Sequence, residues 1–131
     1  EPIGYVPLWF SEIEKFPSEV LKYHYPNVPN LGDMTLIAQY IRAGIVGAPD
    51  VLVGGTPCQA FSVAGLRGGL SDARGQLTLS YVDLLNAIDE SRSTPAIAVW
   101  ENVPGVLSSK DNAFGCFLAG LAGESEPLLP S

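Results

Sequence analysis

Two short apolar runs constrain the fold of this chain more than any other feature of its sequence. Val51 to Val53 and Ala96 to Trp100 contain no polar side chain, and such runs are typical of strands covered on both faces by helices. Between them, the apolar residues from Leu77 to Ile88 recur at helical spacing. Strand, helix and strand in that order predict a parallel crossover unit, so we assign the chain to the α/β class.

The N-terminal part of the chain shows weaker signals of the same kind. Tyr5 to Phe10 is apolar and aromatic, which predicts a strand. Ser11 and Glu14 then stand at the spacing of a capping box, in which the two side chains bond free backbone donors at the start of a helix. We therefore predict that a helix follows and runs to about Tyr25.

The remaining segments are assigned from glycines, prolines and apolar spacing. Residues 31–35 indicate a short strand end or turn, and residues 36–41 predict a helix that is closed by glycines. Four glycines and the loss of periodicity mark residues 56–76 as a loop, and loops of that length are usually functional or disordered. Residues 116–121 predict a last short helix, and residues 122–131 a C-terminal tail.

Composition excludes several classes of protein. Apolar residues make up 47% of the chain and charged residues 16%, so a packed core is feasible and wholesale disorder is not expected. No apolar run reaches the roughly 18 residues that span a bilayer, and the start of the sequence lacks the pattern of a secretory signal. We therefore expect a cytoplasmic protein with reduced thiols and no membrane partner. A net charge of −7 opposes bulk attraction to nucleic acid.

Residues that follow the strands are the first candidates for chemistry, because ligands bind at the carboxyl ends of strands in open parallel sheets. Cys58 follows a strand and two glycines, where an accessible thiol can become a nucleophilic thiolate. Glu101 ends the second apolar run, where partial desolvation favours a carboxyl that holds a proton. The alternatives are a small buried hydrophobe for Cys58, as we expect for Cys116, and a solvated loop acid for Glu101. With a single histidine, His24, we predict no metal site.

One string of residues is far more specific than these separate signals. Gly54-Gly55-Thr56-Pro57-Cys58-Gln59-Ala60-Phe61-Ser62 resembles the nucleophile motif of the cytosine-5 DNA methyltransferases. Ser71-Asp72-Ala73-Arg74-Gly75-Gln76-Leu77 and Glu101-Asn102-Val103 resemble two further motifs of that family, in the expected order. We therefore predict a catalytic-domain segment of a cytosine-5 DNA methyltransferase of phage or prophage type, as found in restriction-modification systems.

The same resemblance extends upstream, to two segments that bind S-adenosylmethionine in that family. Ser11-Glu12-Ile13-Glu14 and Gly32-Asp33-Met34-Thr35 are similar to the segments that hold its ribose and its adenine. The resemblance implies that Glu12 accepts from the ribose hydroxyls and that Asp33 accepts from the adenine amine. Apolar contact with the cofactor is implied for three side chains, which are Ile13, Met34 and Leu77.

The resemblance also implies a covalent mechanism at cytosine. Cys58 adds to carbon 6 of the ring, and a protonated Glu101 stabilises the charge that forms at nitrogen 3 while selecting cytosine. Asn102, Pro57 and Gln59 are implied to position the flipped base and the nucleophile. DNA contact is assigned to the loop through Ser62, Arg67 and Arg74.

Departures from the family pattern shape the remaining expectations. The glycine loop that cradles the methionine end of the cofactor is not found, so we expect a partial Rossmann-like parallel sheet of the methyltransferase type that lacks the first strand. Residues 1–121 are predicted to form an incomplete catalytic domain, with weak cofactor binding. Unpaired sheet edges predict a homodimer or a swapped assembly, with DNA as partner of the complete enzyme.

Two other functions remain open at this stage. The first is a catalytically inactive module that self-associates or complements a separately encoded half. The second is an unrelated thiol redox enzyme, which rests on Cys58 alone and has no resolving cysteine nearby.

Overall fold

The computed structural model describes residues 4–55, 73–102, 104, 107 and 112–129. Within these residues it contains four α-helices, a short 3₁₀ turn and two strands. In chain order the elements are α1 (Lys15–His24), the 3₁₀ turn (Met34–Leu36), α2 (Ile37–Arg42), β1 (Val51–Gly54), α3 (Ala73–Glu90), β2 (Ile97–Trp100) and α4 (Ala113–Ala122).

The two strands form a parallel pair that α3 connects. Val51 lies opposite Ile97, and Gly54 lies opposite Trp100. The N–H of Ile97 donates to the carbonyl of Asp50 at 2.9 Å, and the N–H of Glu101 donates to the carbonyl of Gly54 at 3.0 Å. This strand, helix, strand unit confirms the prediction from the two apolar runs and gives a partial Rossmann-like α/β fold.

The hydrophobic core lies between this sheet and helices α2, α3 and α4. Its largest fully buried side chains are Ile37, Tyr81, Leu84 and Ile88. Arg42 fastens α2 to α3 at the surface, because its guanidinium bonds the Asp83 carboxylate at 2.8 Å and the Glu90 carboxylate at 2.9 Å. These hydrogen bonds, the one to Asp83 first, raise the pKa of Arg42.

Aromatic stacking holds α4 against the end of β2. The ring of Trp100 stacks on Phe117 with 4.2 Å between centroids, and the near-parallel ring of Phe114 lies at 6.4 Å. Phe117 also meets Tyr81 of α3 at 6.0 Å. Trp100 therefore packs the end of β2 against α4, and Phe117 joins α4 to α3.

The other face of the β-pair is open, so the expectation that helices cover both faces of the two strands is wrong. Val53, Ile97 and Val99 are exposed, and Val53 is 67% accessible. Because alternate residues of a parallel strand bond the same neighbour, the backbone groups of Val51 and Val53 point away from β2. No described residue bonds this outer edge of β1.

The predicted strand over Tyr5 to Phe10 is wrong. For residues 31–35, predicted as a strand end or a turn, the turn is confirmed, because Asp33 caps the 3₁₀ turn that begins at Met34. The two segments meet in one isolated parallel bridge between Phe10 and Asn30, where Phe10 donates to Pro29 and accepts from Leu31. A strand requires several consecutive residue pairs that bond in a ladder. Here a single residue pair is bonded, so no strand forms.

The predicted capping box is also wrong. The Ser11 hydroxyl donates to the carbonyl of Gly32 at 2.7 Å, so it does not cap helix α1. Helix α1 begins at Lys15 after Glu14, whose side chain makes no capping bond. The helix itself is confirmed and ends at His24, one residue before the predicted end.

Helix α3 begins at Ala73, inside the predicted loop over residues 56–76. Ala73, Arg74 and Gln76 are good helix formers, and together they outweigh the cost of Gly75. The rest of that loop, residues 56–72, lies outside the described residues.

The last helix is confirmed over its predicted residues but begins three residues earlier, at Ala113. Gly123 closes it in the left-handed region at φ 73. The following segment folds back, since Leu128 donates to the carbonyl of Gly115 at 3.2 Å and accepts from the Asn112 amide at 2.9 Å. A side chain at Gly115 would collide with the Leu128 carbonyl. Among the described helices, none combines the length and apolarity needed to cross a bilayer.

Candidate active site

A cavity of about 460 Å³ opens between the Phe10–Asn30 bridge and the end of β1. This volume lies in the range of small-molecule sites. The five side chains assigned to cofactor binding all line it, and these are Glu12, Ile13, Asp33, Met34 and Leu77. The structure therefore brings together residues that are up to 65 positions apart in the sequence.

Glu12 enters the cavity from the turn between the bridge and α1. Its Oε1 accepts a hydrogen bond from the N–H of Glu14 at 2.8 Å. Its own backbone N–H and carbonyl are both bonded by the side-chain amide of Asn30, each at 2.9 Å. No described residue bonds Oε2, so one carboxylate oxygen is available to accept from a ligand.

Asp33 also lines the cavity, and it caps the 3₁₀ turn. Its Oδ1 accepts from the N–H of Thr35 at 2.9 Å and from the Thr35 hydroxyl at 2.8 Å. These two hydrogen bonds, the backbone one first, hold the pKa of Asp33 below its usual range. The side chain is thus an ionised acceptor at neutral pH, and the described residues leave its Oδ2 without a partner.

Part of the cavity wall is apolar. Leu52, Leu77 and Leu84 contribute to it together with the ring of Tyr81. Carboxylate oxygens accept from hydroxyl and amino groups, while an apolar wall accommodates an aromatic ring. Two negative side chains disfavour a ligand that carries phosphate at this position. The cavity is therefore suited to an uncharged nucleoside-like group.

Tyr81 was not foreseen as part of this cavity. Its hydroxyl lies 3.4 Å from the carbonyl of Leu52 and 3.3 Å from that of Val99, and burial raises the pKa of Tyr81 to about 12. A Cβ at Gly54 would stand 3.0 Å from the ring of Tyr81. Glycine at that position therefore allows the ring to pack closely against the end of β1, where it lines the cavity. A tyrosine at helical spacing gives no sequence signal for this role.

We expect one of the five tyrosines to ionise near pH 12 in the native protein, and that step to vanish in Tyr81→Phe. The unfolded phenol has a pKa of about 10. The stability that the neutral buried ring supplies is thus complete below pH 10 and is lost as pH rises through 12. Ultraviolet titration of tyrosinate measures the step, and Tyr23→Phe at an exposed position serves as the control. A titration curve unchanged by Tyr81→Phe contradicts the assignment.

Glu101 stands at the carboxyl end of β2, beside the end of β1. A side chain at Gly55 would crowd its carbonyl oxygen at 3.0 Å and its Oε2 at 3.2 Å. Glu101 is exposed, which agrees with the alternative of a solvated loop acid and not with partial desolvation. The cover that protects one face of β2 ends at Trp100. Asn102, the next residue, is half-buried.

The other catalytic candidates lie outside the described residues. These are Pro57, Cys58 and Gln59, together with Ser62 and Arg67 of the assigned DNA loop. Arg74 is in the first turn of α3, and its side chain is likewise outside the description. Cys116 is buried in α4, as expected.

The chain belongs to the C-5 cytosine-specific DNA methylase family, whose model matches residues 1–122. Among its relatives, the DNA N-6-adenine-methyltransferase of Escherichia phage P1 is 66% identical over 134 residues, covering 99% of this chain and 18% of that protein. The orphan methyltransferase M.SPRI of Bacillus phage SPR is 37% identical, covering 81% of this chain and 23% of that protein. The type II methyltransferase M.NlaIV of Neisseria lactamica is 39% identical, covering 75% and 21%.

These relatives confirm the recognition of the family, and they are phage and type II methyltransferases. The chain spans about a fifth of the length of the curated relatives it matches. No solved structure matches it. Membership of a methyltransferase family implies the use of S-adenosylmethionine.

Proposed function

We propose that this chain is the part of a DNA (cytosine-5-)-methyltransferase that holds the adenosine end of S-adenosylmethionine and carries the nucleophile. The observation that supports the proposal best is the cavity that gathers Glu12, Asp33 and Leu77 and reaches Gly54 and Gly55 at its rim. Its acceptors and its apolar wall lie at the sheet edge from which the nucleophile motif continues.

The side chains present fit the adenosine part of the cofactor. Oε2 of Glu12 accepts from the ribose hydroxyls, and Oδ2 of Asp33 accepts from the adenine amine. Ile13, Met34 and Leu77 contact the faces of the ring. S-adenosylmethionine, when bound, supplies a methyl group attached to a sulfonium sulfur.

Cytosine carbon 5 needs activation before it accepts a methyl group. The thiolate of Cys58 adds to carbon 6, so an S–C bond forms and the ring's electron pair moves toward carbon 5. Glu101 donates a hydrogen bond at nitrogen 3, where negative charge develops. After methylation a base removes the proton from carbon 5, and the pair left behind expels the thiolate.

The placement of Glu101 supports this division of labour. It lies against Gly55, and Cys58 follows Gly55 by three residues. A chain spans at most about 3.6 Å per residue, so covalent geometry alone keeps the backbone of Cys58 within roughly 11 Å of Gly55. Because Glu101 is exposed, the bound cytosine and the surrounding chain must exclude water from its carboxyl group during the reaction.

A second candidate product is N6-methyladenine, which is favoured by the name of the relative from phage P1. That relative is far longer than the segment it shares with this chain. The adenine amino nitrogen already carries an electron pair that can accept a methyl group, so this chemistry needs no thiolate. A requirement for Cys58 therefore distinguishes methylation of cytosine from methylation of adenine.

The test uses DNA that contains 5-fluorocytosine together with S-adenosylmethionine, since fluorine at carbon 5 blocks release of the enzyme. We expect a covalent complex with the wild-type chain and with Cys116→Ser, and none with Cys58→Ser. The absence of any complex supports the inactive module instead. On unmodified DNA, formation of N6-methyladenine that persists in Cys58→Ser overturns the cytosine assignment.

The open edge of β1 and the uncovered face of the β-pair also support self-association, with a second copy as the partner. We expect sedimentation to show a dimer whose population rises with protein concentration. Because each copy carries a charge of −7, added salt should strengthen the dimer. Val53→Lys should abolish it, whereas Ile45→Lys, at a site of similar exposure in the turn after α2, should not. A monomer at all concentrations contradicts the expectation.

A further inference from the structure

We propose that Asn30 is a positioning residue that sets the spacing between the two carboxylates of the cavity. The inference rests on the proposed function, because it assigns the purpose of this spacing to recognition of adenosine. Asn30 has no direct place in the cavity lining. It acts through the backbone of its neighbours.

The side-chain amide of Asn30 uses its full bonding capacity, which is two donors and two acceptor positions. Oδ1 accepts from the N–H of Glu12 at 2.9 Å and from the N–H of Gly32 at 3.2 Å. Nδ2 donates to the carbonyl of Glu12 at 2.9 Å and to the hydroxyl of Ser18 at 3.1 Å. One side chain thus bonds both backbone groups of Glu12 and the residue directly before Asp33.

Two neighbouring features reinforce this connection. The Ser11 hydroxyl donates to the carbonyl of Gly32, so the same two segments are joined a second time. Gly32 has φ +75, a conformation that favours glycine and that accompanies the bond from its N–H back to Asn30. The loop over residues 29–33 is therefore shaped around the amide.

The contribution of Asn30 to the core is small, because its side chain is exposed. The hydrogen bonds of Asn30 fix the position of Glu12 relative to Asp33. The segments that carry these two residues are joined by a single β-bridge, between Phe10 and Asn30. Between its ribose hydroxyls and its amine, adenosine has one freely rotating bond, the glycosidic bond, so the separation of these groups varies over a limited range. Adenosine bonds both carboxylates only if their separation is held in advance, and such preorganisation raises affinity.

The experiment compares two nucleosides that differ at one end of the site. Adenosine offers both the ribose hydroxyls and the amine, whereas 2′,3′-dideoxyadenosine offers the amine alone. Asn30→Ala should weaken binding of adenosine by about tenfold, as loss of a well-made hydrogen bond does. It should weaken 2′,3′-dideoxyadenosine by less than about threefold, because a ligand held at one carboxylate does not sense the spacing. Chemical-shift titration measures both affinities.

Two further measurements sharpen the test. Asn86→Ala removes an exposed asparagine of α3 and should change neither affinity. Without ligand, Asn30→Ala should increase hydrogen exchange at the N–H groups of Glu12 and Gly32. Equal weakening of both nucleosides would show a merely structural role and overturn the inference, as would unchanged protection of those two amides. A wild-type chain that binds neither nucleoside, with both amides deprotected in Asn30→Ala, would instead overturn the proposed cofactor site and the role of Asn30 with it.

Discussion

Replacing Phe117 by alanine will lower the free energy of unfolding by about 3–5 kcal/mol, the usual cost of removing a buried aromatic ring. Phe117 is 3% exposed and stacks on Trp100 at 4.2 Å while also meeting Tyr81. Its removal leaves a cavity between α4, α3 and the end of β2. Urea denaturation followed by circular dichroism and tryptophan fluorescence measures the loss.

The matched control is Phe16→Ala, since Phe16 is 75% exposed on α1. The same atoms are deleted there without opening a cavity, so the change should stay within about 0.5 kcal/mol. Equal losses in the two variants would show that α4 is not anchored through Phe117. In that case Trp100 would also lack the support that fixes Glu101 beside Gly55.

The elements that the sequence predicts well are those whose signal is local. β1 and β2 consist of uninterrupted apolar runs, and α3 has apolar residues at helical spacing over several turns. The predicted strand at Tyr5 to Phe10 has an equally apolar composition. A strand depends on a partner of matching length, however, and in the structure Phe10 alone finds one. Composition indicates that a segment can form a strand, and hydrogen bonding to a partner strand determines whether it does.

Side-chain bonds were harder to foresee than elements. Ser11 and Glu14 have the spacing of a capping box, yet the Ser11 hydroxyl bonds Gly32, 21 residues away. Asn30 stands among prolines and glycines with no periodic or motif signal, although it makes four hydrogen bonds. Local spacing cannot reveal a bond whose partner is brought near by the fold.

In the candidate site too, some features were predictable from the sequence and others were not. Glu12 and Asp33 were assigned by resemblance to a family, and the cavity that gathers them agrees with that grouping, while their roles stay predictions. The exposure of Glu101 agrees with the alternative of a solvated loop acid, whereas partial desolvation would require the burial of the apolar run to continue to the residue after it. Burial ends where the covering helices end, and here that is Trp100.

Alkylation of the native protein at neutral pH will label Cys58 before Cys116, by roughly tenfold or more in rate. Cys116 is 8% exposed in α4, so a reagent reaches it only after local opening. Each 1.4 kcal/mol of opening free energy slows labelling by about tenfold. Cys58 follows β1 and two glycines, a setting typical of accessible thiols. Peptide mass spectrometry at successive times gives both rates.

Labelling in concentrated urea provides the reference, because both thiols should then react at similar rates. Phe117→Ala offers a second check, since loosening α4 should accelerate Cys116 and leave Cys58 unchanged. Preferential labelling of Cys116 in the native chain would contradict the prediction. It would mean that the nucleophile motif is less accessible than a thiol inside the core. A thiol in that state could not add to a base, so the covalent chemistry proposed for Cys58 would then require a rearrangement of the motif on binding DNA.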